Sequence, residues 1–315
     1  MNILEKTENA LKIVKTSTPI RPFPEGWDLI PDKNFYPDLG TLVPAFPAFD
    51  RGALTLFSGA SKSRKSWIAL ELAIGAASGT SFQGFPCEKS TKVLFVDLEL
   101  LPRTLLHRLH KTAEMMGVEV SRLNGRLKVL PWRHQHVGRN PGEVISELIR
   151  VAKDWGAEYV IIDALYVLVN GDESKPEVIL EAFNQVATLS RETGVGVLLL
   201  HHFTKGSSDT KEQIDRASGS GVLARMPDAL LTISKVHQSH ELEDAFVFEA
   251  TLRDHAPVRA FATAWRNGML RPMGSAELPG DHRDLIKPKP KTDPRDHAPG
   301  AKRTSKLNAT PAPGD

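Results

Sequence analysis

The chain has 315 residues, 41% of them hydrophobic and 25% charged, with a formal net charge of +2. That balance suits a globular protein with a sizeable core and supplies no overall basic field that would by itself demand a nucleic-acid partner. No run of 18 apolar residues occurs, so no membrane span is expected, and the single cysteine, Cys87, leaves no internal disulfide framework and suits a reducing cytosol.

Residues 1–50 carry Pro19, Pro22, Pro24, Pro31, Pro37, Pro44 and Pro47 with the aromatics Trp27, Phe35 and Tyr36. Met1 to Lys6 lacks the apolar core of a secretion signal. Leu4 to Val14 fits a short amphipathic helix, and the remainder reads as an extended arm that packs on something. Ala53 to Ser58 is a short apolar run fit for a buried strand. Gly59-Ala60-Ser61-Lys62-Ser63-Arg64-Lys65-Ser66 follows, and then an Ala/Leu-rich helix from Trp67 that stops at Gly79.

Strand, tight loop and helix form the setting of a phosphate-binding loop, with the helix N-terminus turning unpaired N–H groups toward the anion. The usual pattern is G-x-x-x-x-G-K-[ST], and here Gly59, Lys65 and Ser66 fall at its spacing. The lysine reaches the β/γ oxygens, the hydroxyl meets Mg²⁺, and the backbone of 59–67 cradles the phosphates. Arg64 replaces the second glycine, where φ is usually positive, and its guanidinium could lie over the phosphates.

Further strands are expected at Lys92–Asp97, Leu127–Leu130, Tyr159–Asp163, Gly196–His201 and Asp228–Ile233. A hairpin-like pair follows near Ala245–Leu252 and Ala260–Trp265. Helices fit Leu105–Gly117, Pro141–Gly156 and Pro176–Gly194. This alternation predicts an α/β core over 51–272, with a mainly parallel sheet flanked by helices and a C-terminal antiparallel hairpin. From residue 273 the chain becomes rich in Pro and Lys, with no apolar period past Gly280, and is expected to be a disordered tail. Its basic residues could add weak phosphate contacts.

In open parallel sheets ligands gather at the carboxyl ends of the strands. Asp163 closes an apolar run and is placed to hold Mg²⁺ together with Ser66. Asp97 and Glu99 end the preceding strand. Glu99 is the candidate base for the attacking water, because strand alternation puts it on the side of Asp97 but further out, and Asp97 is the reserve. His201-His202-Phe203-Thr204-Lys205 closes the next strand, where a polar group can sense the γ-phosphate. The polar, glycine-rich stretch Gly206–Gly221 carries Lys211 and Arg216, which together with Lys205 could touch nucleic-acid phosphates.

The order of these motifs resembles the RecA-like ATPases, and within them the RepA-type hexameric replicative helicases with their plasmid and phage relatives. The likeness spans roughly residues 40–272 and is carried by the loop at 59–66, KVLFVDLEL with Glu99, YVIIDALYVLVNGDES with Asp163, GVGVLLLHHFTKG with His201 and His202, and RASGSGVLARMPDALLTI at 216–233. The resemblance implies a RecA-like fold, Mg·ATP binding by Lys65 and Ser66, catalysis by Glu99, a Mg²⁺ contact by Asp163 and γ-phosphate sensing by His202. It also implies a homo-oligomeric, hexameric ring acting on single-stranded DNA. The arginine often found just before Gly-Ser in that family is absent, because Ser218 stands there. Arg216, Arg225 and Arg253 are its possible substitutes as a finger on a neighbour's nucleotide. The alternative reading is a nucleotide-dependent DNA-binding or regulatory ATPase without helicase activity.

Overall fold

The computed structural model describes residues 40–44, 46–87, 89–135, 139–169, 171, 175–202, 226–274 and 282–287. The strands are β1 (Leu54–Gly59), β2 (Ser81–Phe82), β3 (Phe85–Pro86), β4 (Val93–Asp97), β5 (Leu127–Pro131), β6 (Tyr159–Asp163), β7 (Gly196–His202), β8 (Ala229–Lys235), β9 (Ala245–Leu252), β10 (Phe261–Arg266) and β11 (Met269–Pro272). The helices are α1 (Lys65–Ser78), α2 (Pro102–Met116), α3 (Pro141–Trp155) and α4 (Pro176–Thr193). Among the described residues nine strands form one sheet in the order β11-β10-β9-β8-β1-β7-β6-β4-β5, while β2 and β3 pair separately.

The strands from β8 to β5 in that order pair in parallel, and β8 to β11 form an antiparallel meander. The sequence anticipates an antiparallel hairpin; the meander is larger, because β9 also pairs with β8 and β11 folds back on β10. β1, β4 and β6 are buried at every position, which is why they read as continuous apolar runs rather than alternating ones. Alternate side chains feed two layers. Phe95, Ile161 and Leu200 join α1 and α2 in one core; Val96, Ile162 and Leu199 join α3 and α4 in the other. Pro102, Pro141 and Pro176 open α2, α3 and α4, where the missing N–H is no loss, so α2 begins at Pro102 rather than at Leu105.

Residues 40–50, assigned to the arm from sequence, contribute Leu42, Val43, Phe46, Ala48 and Phe49 to the first core. Phe46 meets the rings of Phe49, Phe82, Phe85 and Phe261. Residues 1–39 lie outside the described residues. In the C-terminal tail, His282–Ile286 forms a single 3₁₀ turn with Ile286 buried beside Val247 and Ala264, a local exception to the expected disorder. Among the described residues no helix is long and apolar enough to cross a membrane.

A buried carboxyl ties α1 to the meander. Glu71 accepts from Gln83 N at 2.9 Å and Gln83 Nε2 at 2.5 Å, and Gln83 Oε1 accepts from Thr263 Oγ1 at 3.0 Å. Burial pushes Glu71 up to about 7, against the hydrogen bonds of Gln83 and the charge of Arg271. Between its ordinary 4.5 and about 7 the folded chain therefore holds a proton that the unfolded chain has released. Stability from this group is highest at acid pH and falls as pH rises through that window. Urea midpoints measured from pH 5 to 8 test this: the downward slope is expected in the wild type and flattened in Glu71→Gln, and an equal slope in both contradicts it.

Candidate active site

The sheet register assembles the site. Gly59 of β1 pairs with His202 of β7, and Asp97 of β4 pairs with Asp163 of β6, so all four stand at one carboxyl edge. A pocket of about 720 Å³ opens there, lined by residues 61–67, Glu99, Leu100, Arg108, Asp163, Tyr166 and His202. Gly59 is required for close approach: a Cβ there would meet Ile233 Cγ2 at 2.7 Å and Ser63 Oγ at 2.8 Å. Lys62 and Arg64 both hold positive φ, 64° and 70°.

Arg64 thus adopts the left-handed conformation that glycine usually supplies, at about 1–2 kcal/mol for a residue with a Cβ. Its guanidinium is engaged by two residues of the meander. It lies 4.3 Å from the centroid of Trp265, with Asp244 at 3.9 Å. A partly exposed cation–π contact of about 0.5–1 kcal/mol offsets a share of the strain.

Lys65 is buried at the start of α1. Its ammonium donates to Gly59 O and Ala60 O, both at 2.9 Å, and stands 3.1 Å from His202 Nδ1. Burial lowers its pKa to about 8, against the raising influence of Asp163 and Glu99. An ammonium has no lone pair, so His202 Nδ1 is the acceptor and the imidazole carries its proton on Nε2. Nε2 is 3.6 Å from Glu99 Oε1. His202 therefore bridges Lys65 and Glu99. The Glu99 carboxylate is held below its ordinary range by His202 first and also by a hydrogen bond from Tyr166 and the charge of Lys65.

Glu99 reaches the pocket by a different route from the one expected. β4 ends at Asp97, and Asp97 Oδ1 accepts from Glu99 N at 2.9 Å and from Leu100 N at 2.6 Å. The turn, not strand alternation, aims Glu99. Asp97 is thereby corrected from reserve base to turn anchor, its side chain fully buried and its pKa raised by that burial.

Asp163 is buried, and burial raises its pKa to about 7, against the hydrogen bond donated by Ser66. Its Oδ2 has no hydrogen-bond partner among the described residues. Two hard oxygen donors side by side, one unsatisfied, fit Mg²⁺, which takes one or two protein oxygens and leaves the rest of its shell to phosphate and water.

The His-His cluster divides. His202 faces the pocket, whereas His201 alternates to the α3/α4 side, buried with neither nitrogen hydrogen-bonded among the described residues and its pKa lowered to about 4 by that burial. Phe203, Thr204, Lys205, Lys211, Arg216 and Arg225 lie outside the described residues. Arg253 is away from the pocket, paired at 2.8 Å with Asp228 before the start of β8. Sequence reasoning missed Tyr166, Leu100 and Arg108. Tyr166 sits on the 3₁₀ turn just after Asp163, with its ring 6.1 Å from that of His202.

A family described as AAA domain matches residues 33–208, more than half of the chain. The chain belongs to the AAA domain family. The matched span of this AAA domain protein contains Lys65, Ser66, Glu99, Asp163 and His202. No curated protein matches it. Among solved structures it is similar to a KaiC-like protein from the hyperthermophilic archaeon Pyrococcus horikoshii OT3, with a TM-score of 0.54 and 16% identity over 76% of this chain and 96% of that one. At that identity the likeness speaks for the fold alone. The AAA domain here is a RecA-like P-loop fold of the ATPase type.

Proposed function

We propose that the protein hydrolyses Mg·ATP to ADP and phosphate and uses the turnover as a ring-forming motor on single-stranded DNA, in the manner of RepA-type helicases. The observation that carries the hydrolysis is the line Lys65–His202–Glu99, with Asp163, whose Oδ2 has no hydrogen-bond partner among the described residues, beside Ser66 on the same wall of the pocket.

The Lys65 ammonium now spends its protons on Gly59 O and Ala60 O, and a phosphate offers a stronger acceptor at that place. The backbone of residues 60–66 and the α1 N-terminus supply N–H donors to the same anion. Glu99, ionised at neutral pH, accepts a hydrogen bond from a water and aims it at the γ-phosphorus. The water oxygen bonds to phosphorus as the bond to the β-bridging oxygen breaks and ADP takes that electron pair. The water proton passes to Glu99 and on to solvent. His202 Nε2–H steadies the carboxylate while Nδ1 holds Lys65, so both ends of the reaction share one anchor. Bound by Ser66 and Asp163, Mg²⁺ would neutralise charge on the β- and γ-oxygens.

The motor role rests on the resemblance of the motif order, and Arg216 is proposed as the finger reaching a neighbour's nucleotide. Mass photometry with and without ATP and a single-stranded oligonucleotide tests it, with strand displacement as the functional arm. A ring that forms or tightens with both ligands and unwinds a forked duplex is expected. A chain that hydrolyses ATP but stays monomeric and displaces no strand would instead be the regulatory ATPase.

A further inference from the structure

The P-loop of this chain is held from outside. Residue 64 decides where the loop ends: its carbonyl accepts from Trp67 N at 3.0 Å and Ile68 N at 3.2 Å, so its backbone fixes the first turn of α1 and the direction of Lys65. The side chain at 64 is gripped by two residues of the meander, Trp265 on β10 and Asp244 before β9. These two are joined to each other, with Trp265 N donating to Asp244 O at 2.9 Å. Trp67, in the first turn of α1, meets the same indole edge-on at 5.3 Å, and the Arg108 guanidinium lies 5.3 Å from the Trp67 centroid. A stack therefore runs from the P-loop through Trp265 and Trp67 to α2.

We propose that Arg64 is a positioning residue whose guanidinium, clamped by Trp265 and Asp244, holds the P-loop in its left-handed, phosphate-ready turn, the task that glycine's freedom performs in the usual pattern. The phosphate loop and the antiparallel meander are then one mechanical unit. A glycine in αL needs no anchor, whereas any residue with a Cβ does. The clamp matters to binding only while residue 64 carries a side chain. The proposal rests on the nucleotide reading of the pocket.

The test is calorimetric binding of Mg·ATP to the full chain, with kcat and KM measured alongside and thermal unfolding reporting that each variant is folded. Arg64→Ala, left-handed without its clamp, is expected to bind about fivefold to thirtyfold more weakly than Arg64→Gly, the range that a free left-handed residue spans. Trp265→Leu is expected to weaken binding several-fold and Trp265→Phe, which keeps a π face, to restore most of it. The loss falls on KM more than on kcat. In the Arg64→Gly background the same Trp265→Leu change is expected to matter less than twofold. Asp244→Asn, at an exposed site, gives a second and milder break in the clamp. Equal binding by Arg64→Ala and Arg64→Gly, or a Trp265→Leu loss of the same size in both backgrounds, overturns the proposal. A wild-type chain that binds no Mg·ATP removes the nucleotide reading itself, and this proposal with it.

Discussion

Replacing Lys65 by alanine is expected to lower kcat/KM for ATP hydrolysis by about 10²–10³-fold and to weaken nucleotide binding with it, the scale of losing one preorganised charge donor at a transition state. The ammonium is buried and held among Gly59 O, Ala60 O and His202 Nδ1. Arg64, the adjacent cation, is turned to Trp265. Alanine would also leave two carbonyls and an imidazole nitrogen without their donor. A pH signature accompanies the loss. With Lys65 lowered to about 8, the ammonium is present below that pH and disappears above it, so nucleotide affinity falls as pH rises through about 8. Lys65→Arg, charged throughout, is expected to lack that limb while binding more weakly, since the planar guanidinium does not match the geometry around Nζ. Isothermal titration between pH 7 and 9 reads both effects.

Glu99→Gln is the second large effect, and it separates binding from chemistry. The amide keeps the shape and can still meet His202, but it cannot accept a proton. A fall in kcat of about 10²–10⁴-fold is expected, the range for a positioned general base, with Mg·ATP still bound. Single-turnover phosphate release alongside equilibrium binding makes the distinction. Loss of binding equal to the loss of turnover would assign Glu99 to holding the loop through His202 rather than to the water.

The main features of this site lay open in the sequence because they are local. Asp163 and His202 close apolar runs and Lys65 opens the helix that follows another, and a buried parallel sheet delivers such strand ends to one edge whatever its exact strand order. Glu99 was found for an incomplete reason: alternation cannot continue past Asp97, and a carboxylate capping two backbone N–H groups does the aiming. The size of the meander was written in Asn267-Gly268, both with positive φ between β10 and β11, a two-residue hairpin signal that the expectation of one strand pair passed over. The clamp on Arg64 had no local signal. Trp265 and Asp244 lie some 200 residues downstream, and no period in either segment points at the P-loop; only the sheet brings β10 and the segment before β9 to it. The αL turn at residue 64 followed from the motif, but the means of holding a side chain there did not.

The central claim is that the pocket at this sheet edge is a working Mg·ATP hydrolysis site. Phosphate release by the full chain, measured with ATP in Mg²⁺ and again in excess EDTA, tests it most directly. Turnover that needs Mg²⁺ and collapses in both Lys65→Ala and Glu99→Gln is the predicted result. Release that persists unchanged in those two variants, or a folded wild-type chain that neither binds nor hydrolyses ATP, would contradict it.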